Sequence, residues 1–334
     1  VIVVIGAGVA GLAAAGVLRR AGRTVVVLDK GRGVGGRCAT RRLDGQPVDH
    51  GAAWFHGSDP DYLCAFEGFA AEDVIDGWPL RVVGTGPACN PRALDPGGRR
   101  FALRDGASAF PKLLAQGLDV RLGVRVVGLS RQGDTVQVAT DGGPALDAEH
   151  VVLALPTEQA SALLAGLEPD REVAAARFVL GRVGSVACLT VLALYEAGTP
   201  DPGFDVCLPD VGGPLALVSH DSAKRRSAPR RALVLQATPP WSRAHLEEDP
   251  TTWATSLRDA AADLVGDWVR TPVVEQAHRW RYARVDPVYA LRGPVLLGSR
   301  GARVALTGEA FHDGSGVQGA FLAGRRAAER LLEC

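Results

Sequence analysis

The chain has 334 residues, of which 47% are hydrophobic, and its 37 Lys and Arg cancel its 37 Asp and Glu. That length predicts about two domains, with cores large enough to enclose a sizeable cofactor. The balanced charge, relieved only by short pairs such as Arg99-Arg100 and Arg230-Arg231, leaves no basic face for a nucleic-acid backbone.

Residues 1–18 carry no charge, but Gly6, Gly8, Gly11 and Gly16 interrupt them and no basic segment precedes them. A strand, a turn and a helix account for them better than a membrane span or a leader peptide. Val1–Ile5 reads as a central parallel strand buried on both faces, Ala10–Ala21 as a helix ending near Gly22, and Thr24–Leu28 as a second buried strand: a βαβ unit. Val124–Leu129 and Thr135–Thr140 predict a hairpin around Gln132-Gly133-Asp134. Val151–Leu155 is another buried strand, stopped by Pro156, and Thr157–Leu167 reads as a helix. From about residue 168 to 284 the strands lengthen, as at Val186–Leu194 and Arg231–Ala237, with Pro-rich joints and one strong helix at Thr251–Val265. Val304–Thr307 returns to short buried-strand character, and Gly316–Leu332 closes with a helix. The expected fold is α/β. A discontinuous Rossmann-like dinucleotide-binding domain takes 1–56, 105–160 and 285–334, and an α+β substrate domain on an antiparallel sheet takes 57–104 and 161–284. The sequence shows no internal repeat.

Gly6-Ala7-Gly8-Val9-Ala10-Gly11 is G-x-G-x-x-G set directly between strand and helix, the context that raises it above a chance match. Gly6 allows the tight turn, Gly8 lets a pyrophosphate approach the backbone, and Gly11 lets helix and strand pack closely. The free amides of Val9 and Ala10 at the helix N-terminus then face the phosphates. Asp29, at the end of the second strand, is placed to accept a hydrogen bond from a ribose hydroxyl. This fingerprint does not separate NAD from FAD.

The following residues do. Arg32-Gly33-Val34-Gly35-Gly36-Arg37-Cys38-Ala39-Thr40 resembles the R-x-G-G-R-x-x-[ST] signature of the flavin amine oxidase superfamily, and Val48-Asp49-His50-Gly51-Ala52 resembles its D-x-G-[GA]. Thr307-Gly308-Glu309, followed by Gly316-Val317-Gln318-Gly319-Ala320, resembles its closing FAD motif. The resemblance implies FAD, bound noncovalently because no Cys lies in an attachment context. It implies Gly36 and Arg37 at the diphosphate, Gly51 and Ala52 along the isoalloxazine, and Val126 near the adenine. It also implies Gly308 and Glu309 at the ribityl chain, and Gly316 and Val317 at the N1/O2 edge, where a helix N-terminus stabilises developing negative charge. Within the superfamily, Asp29-Lys30-Gly31-Arg32-Gly33, Gly36-Arg37-Cys38-Ala39-Thr40-Arg41-Arg42 and His278-Arg279-Trp280-Arg281-Tyr282-Ala283 resemble the renalase-like branch, with Lys30 in the nucleotide loop.

That likeness implies an oxidase of dihydronicotinamide isomers of NAD(P), transferring hydride to flavin N5, with reoxidation by O2 to H2O2. The competitor is a flavin amine oxidase, with a flavoprotein using another electron acceptor beside it. Classical amine oxidases place an aromatic residue before the closing helix, where this chain has Gly316. They also use a lysine holding a water at N5, and Lys30, Lys112 and Lys224 all lack the matching context: nucleotide loop, helix start and charged loop respectively. Substrate-face candidates are His50, Trp54, Phe55, Trp280, Tyr282 and His312. Core packing is the alternative for Trp54 and Phe55, and a surface loop for His312. Trp280 and Tyr282 alternate along a strand and so share a face. The six cysteines, Cys38, Cys64, Cys89, Cys188, Cys207 and Cys334, show no C-x-x-C pair and no nearby His at metal spacing, so no metal is expected and a reduced cytoplasmic protein is. Expected partners are a small-molecule substrate and O2, with neither nucleic acid nor membrane.

Overall fold

The computed structural model describes residues 1–87, 93–168, 170–298, 301–314 and 316–333; Cys89 and Cys334 lie outside them. The chain divides into two compact units. The first comprises Val1–Cys38, Phe110–Ser185 and Arg284–Cys334, and the second Ala39–Ala109 and Val186–Ala283.

The first unit is built on a six-stranded sheet in the order 295–297, 303–306, 150–153, 2–5, 25–29, 119–122. All neighbours are parallel except 295–297, which runs antiparallel to 303–306 on the edge. The apolar opening strand Ile2–Ile5 therefore sits inside the sheet, which explains its lack of polar positions. Its side chains alternate between two cores. Ile2 and Val4 pack with Leu12, Ala15 and Leu18 of the opening helix Val9–Arg20 and with Ala327, Ala328 and Leu331 of the closing helix Gly316–Leu332. Val3 and Ile5 pack with Leu129, Val136 and Val138 of a three-stranded meander and with Leu164, Val173 and Leu180 of two further helices. The two long helices touch backbone to backbone: a Cβ added at Gly324 would stand 2.1 Å from the Ala10 carbonyl oxygen.

The expected βαβ unit, hairpin and closing helix are all present, with ends shifted by up to three residues. The helix Arg171–Gly181 falls in a stretch read as part of the second domain. Its Asp170 side chain caps the Val173 amide at 2.7 Å, and its apolar face joins the first core. The helix at Lys112 begins at Ala109, which puts Lys112 in its last turn rather than at its start.

The second unit carries a six-stranded sheet in the order 274–285, 185–195, 231–237, 215–220, 206–207, 82–83, antiparallel where 185–195, 231–237, 215–220 and 206–207 pair, with 82–83 added in parallel. Period-2 alternation again sorts its side chains. Leu189, Val191, Ala193 and Tyr195 face Trp253, Ala254 and Leu257 of the helix Pro250–Val265, whereas Leu192 and Leu194 face Leu43 and Val48 of the hairpin 40–43/46–49. This hairpin clusters with the second unit, so residues 39–56 and 105–109 group there, and 161–185 and 284 with the first, where the sequence places the boundaries after 56, 104, 160 and 284. Among the described residues no helix is long and apolar enough to cross a membrane, and no group of His, Cys, Asp and Glu is set to hold a metal.

Candidate functional site

The first unit presents a nucleotide cradle at the carboxyl end of its parallel strands. Gly6 has φ +109°, and a Cβ there would stand 2.4 Å from the Ala154 carbonyl oxygen; one at Gly11 would stand 1.9 Å from that of Gly6. Those two glycines are demanded by the protein itself. Gly8 is different, since a Cβ there meets nothing within 4 Å. The fold does not need a glycine at that position, whereas a close-lying ligand does. Gly8 is also the N-cap of the opening helix, with no side-chain cap and no acidic residue in the first turn, so the amides of Val9 and Ala10 keep their charge for an anion.

The second glycine loop closes on the first. Gly35 donates its amide to the Ala7 carbonyl at 2.8 Å and forms an isolated bridge with Gly8, which places Gly36 beside the turn. Asp29 accepts from Ala7 N and from Gly31 N, each at 2.6 Å. Its carboxylate thus ties the glycine turn to the loop after the second strand, and one lone-pair direction on each oxygen remains for a ribose hydroxyl. Lys30 points outward to Gln159, 3.4 Å away. Val126 opens the meander, packed on the first core, and Val124 N donates to the Asp29 carbonyl at 2.9 Å, so the strand carrying Val126 starts beside Asp29.

The chain's two ends meet at one ion pair. Arg37 Nη1 lies 2.5 Å from Oε2 of the buried Glu309, whose Oε1 accepts from Gly316 N at 3.0 Å and whose Oε2 accepts from Val285 N at 3.3 Å. Glu309 therefore fixes the start of the closing helix, including Gly316 and Val317, and the position of Arg37 together. Gly308 before it has φ +140°. His312 is held in place, its Nδ1 accepting from Gly314 N at 2.9 Å, with Asp313 3.4 Å away. Open backbone at Gly8, uncapped helix amides, a carboxylate at the second strand end and an arginine beside the glycine loops together match a dinucleotide diphosphate and ribose.

The second unit holds a buried charge cluster that the sequence did not reveal. Lys224, which the sequence places in a charged loop, is wholly buried in the short 3-10 turn Asp221–Lys224. Its three N–H bonds are taken by Asp49 Oδ2 at 2.7 Å, Asp221 Oδ1 at 2.6 Å and the Ala53 carbonyl at 3.0 Å, and the Trp78 ring lies 4.9 Å from Nζ. Arg225 pairs with the same two carboxylates, at 3.0 and 2.7 Å. Asp49 also accepts from Thr40 Oγ1 and from Ala107 N. Burial works against its charge, but Lys224 and Arg225 overcome that and hold the carboxyl down at about 2. The two carboxylates and two cations form a neutral, fully bonded quartet. It anchors the stretch leading into Gly51 and Ala52, where Gln236 Nε2 donates to the Gly51 carbonyl at 2.9 Å.

Beside it, His50 stacks on Trp280 at 5.2 Å and meets His278 edge-on at 4.9 Å; Trp280 Nε1 donates to the His50 carbonyl at 2.9 Å. Burial, then the neighbouring His278 and Arg41, push His50 down to about 3, and burial with Arg41 pushes His278 to about 4, so both rings are neutral at physiological pH. His50 Nδ1 is buried, and the Ala39 backbone is a hydrogen-bonding neighbour of the ring. Tyr282 follows Trp280 by two residues on the same strand, and both are half-buried. His278 and Arg41, 2.9 Å apart through Arg41 Nη2 and His278 Nδ1, are not among the substrate-face residues that the sequence singles out, although His278 shares the alternation of Trp280 and Tyr282. Trp54 and Phe55 take the packing alternative. Trp54 donates to the Ala93 carbonyl and packs on Trp78, and Phe55 is 1% exposed between Phe66 and Phe101.

Known proteins agree with this geometry. Residues 4–67 match the NAD(P)-binding Rossmann-like domain, and residues 84–332 match the flavin containing amine oxidoreductase family. Polyamine oxidase 3 of Oryza sativa subsp. japonica is 51% identical over 55 residues, 16% of this chain and 11% of that protein. Pseudooxynicotine dehydrogenase of a Pseudomonas species is 44% identical over 59 residues, 18% and 12% of the two chains, so these matches span a small part of either relative. Among solved structures, putrescine oxidase bound to putrescine superposes with a TM-score of 0.74 at 16% identity, over 100% of this chain and 99% of that one. Cyclohexylamine oxidase from Brevibacterium oxydans gives 0.75 at 15%, over 99% and 98%. A putative protoporphyrinogen oxidase from Exiguobacterium gives 0.77 at 14%, over 100% and 99%. With a family match across most of its length and a cradle built for a dinucleotide, the chain belongs to the flavin containing amine oxidoreductase family, with FAD as its cofactor.

Proposed function

We propose that the chain is an FAD-dependent oxidase of the renalase-like kind, oxidising dihydronicotinamide isomers of NAD(P), with O2 as the final acceptor and H2O2 as the product. FAD, when bound, supplies the hydride acceptor. A dihydropyridine becomes aromatic as it gives up hydride, so this substrate asks the protein for position and not for a base.

The observation that carries the reading is how the polar groups are spent. The buried carboxylates of the described residues, Asp49, Asp205, Asp221 and Glu309, are all engaged by cations and amides, and Lys224 has no N–H left to hold a water. His50 and His278 are too weakly basic to take a proton at neutral pH. A diammonium substrate finds no spare buried carboxylate there, whereas the neutral face of His50, Trp280 and Tyr282 suits a flat uncharged ring. Arg41 adds a positive charge beside it.

The second reading is oxidation of a small amine. It is favoured by the family and by neighbours named putrescine oxidase and cyclohexylamine oxidase, and it requires the unprotonated amine. Anaerobic mixing of the FAD-loaded protein with isomer-containing NADH, fresh NADH and a panel of amines separates the two. Rapid loss of the yellow absorbance with the isomer sample alone is expected, and equal or faster loss with an amine overturns the proposal.

A further inference from the structure

A cleft of about 290 Å³ opens in the second unit, at the low end of ligand-binding volumes. Its wall contains His220, Ser222, Arg225, Arg230 and Arg231, and the remaining lining residues are alanines and a proline, so three arginines and no acidic residue line it. Two of these charges are answered elsewhere. Arg225 is bound to Asp49 and Asp221, and Arg230 meets Asp44 at 2.5 Å.

Arg231 is not answered in that way. Its Nε and Nη2 donate to the Thr199 carbonyl at 3.2 and 2.9 Å, and its Nη1 lies 2.9 Å from His220 Nε2. These acceptors are all uncharged, and two of its five N–H bonds remain. Because an arginine only donates, His220 Nε2 must carry the lone pair and Nδ1 the proton. Burial, and then Arg231 beside it, lower the proton affinity of His220 and keep the ring neutral. The buried ring has the Phe204 backbone as its hydrogen-bonding neighbour. Asp201, the carboxylate nearest to it, stands 4.0 Å away and is held by the Gly203 amide, by Arg81 and, through space, by the charge of Arg231. Ser222 Oγ accepts from Ala232 N at 3.0 Å, which leaves its own proton to donate.

We propose that this cleft binds a small oxyanion of the phosphate class, held by Arg231, Arg230 and the Ser222 hydroxyl. Donors converging from three side chains suit a tetrahedral group with several oxygens better than a planar carboxylate. A half-buried guanidinium whose hydrogen bonds all go to neutral acceptors, with Asp201 acting on it only through space, gains from an anion in direct contact. Every residue lining the cleft belongs to the second unit, whereas the glycine turns of the nucleotide cradle belong to the first.

The test uses the FAD-loaded full-length protein, so that its cofactor already fills the diphosphate cradle. Inorganic phosphate, glycerol 3-phosphate and acetate are titrated by calorimetry at fixed ionic strength, with wild type, R231Q, R230Q and the exposed control R99Q. Saturable binding of phosphate or glycerol 3-phosphate is expected, weakened at least tenfold in R231Q and R230Q, unchanged in R99Q and absent with acetate. Tighter binding of glycerol 3-phosphate assigns the site to an organic phosphate, and tighter binding of inorganic phosphate assigns it to the free ion. If R231Q does not fold, R230Q decides alone. No saturable binding, equal binding of acetate, or affinity unaltered in the two arginine variants overturns the proposal.

Discussion

Gly8 and Gly11 stand three residues apart in one motif, and the structure predicts opposite consequences for adding a methyl group at each. At Gly11 the new Cβ would lie 1.9 Å from the Gly6 carbonyl oxygen, so strand and helix must separate by more than an ångström. Overpacking of that degree costs about 3 kcal/mol or more. At Gly8 the backbone has φ −76° and ψ 176°, open to any L-residue, and the Cβ meets nothing. There, loss of unfolded-state freedom stabilises by about 0.4–1 kcal/mol. The poorer N-cap of alanine costs a similar ~0.5–1 kcal/mol, leaving a net change near zero. The methyl group of Gly8→Ala occupies the space given to the diphosphate, so FAD affinity should fall at least about tenfold, or ~1.4 kcal/mol. Urea unfolding of the apoprotein and FAD titration by quenching of flavin fluorescence measure the two quantities separately. Gly8→Ala should unfold like wild type and bind FAD weakly, whereas Gly11→Ala should lose stability first. Wild-type FAD affinity in a folded Gly8→Ala protein would show that the open space at Gly8 is not the cofactor's.

Three further expectations concern the charged and polar groups. Lys224→Met leaves two buried carboxylates with one cation and should cost about 3–5 kcal/mol by urea unfolding. Asp49, held at about 2 when folded, contributes stability that is fully present above its ordinary 3.8 and lost as pH falls toward 2; Lys224→Met should move that acid limb to higher pH. His50 and His278 have depressed folded values, so their contribution is present above 6.5 and lost as pH falls toward 4 and 3. Their ring NMR signals, assigned with H50Q and H278Q, should not titrate between pH 5 and 8, and a midpoint near 6.5 would refute the neutral face. Glu309→Ala strands the Gly316 and Val285 amides and should cost about 2–4 kcal/mol while weakening FAD binding, with Glu309→Gln recovering part of both.

The nucleotide-binding half was legible because its requirements are local. An all-apolar run flanked by glycines at fixed offsets admits one arrangement of strand, turn and helix, and the closing helix carried the same kind of signal. The quartet around Lys224 was not legible. Asp221-Ser222-Ala223-Lys224-Arg225-Arg226 has the composition of a solvated loop, and only the return of Asp49 from 172 residues upstream in sequence makes burial of those charges possible. The helix Arg171–Gly181 left a readable mark in Asp170 and Glu172, but its mixed composition hid the apolar face formed by Val173, Ala176 and Leu180. Trp54 and Phe55 show the reverse limit. Adjacency to Gly51-Ala52 in the chain suggested a role that their packing assigns to the core.

The pairing of Arg37 with Glu309 joins residues 272 positions apart, and the alanine-rich face of the opening helix is covered by the closing one. On the ribosome, the glycine turn emerges before the strand and the closing helix that cover it and must wait for them. A nascent or truncated chain therefore exposes Leu12, Ala15 and Leu18 and lacks the carboxylate that fixes Arg37. Stable retention of the cofactor has to follow synthesis of the closing helix, and a product lacking that helix is recognisable to the cell by the bare face it presents.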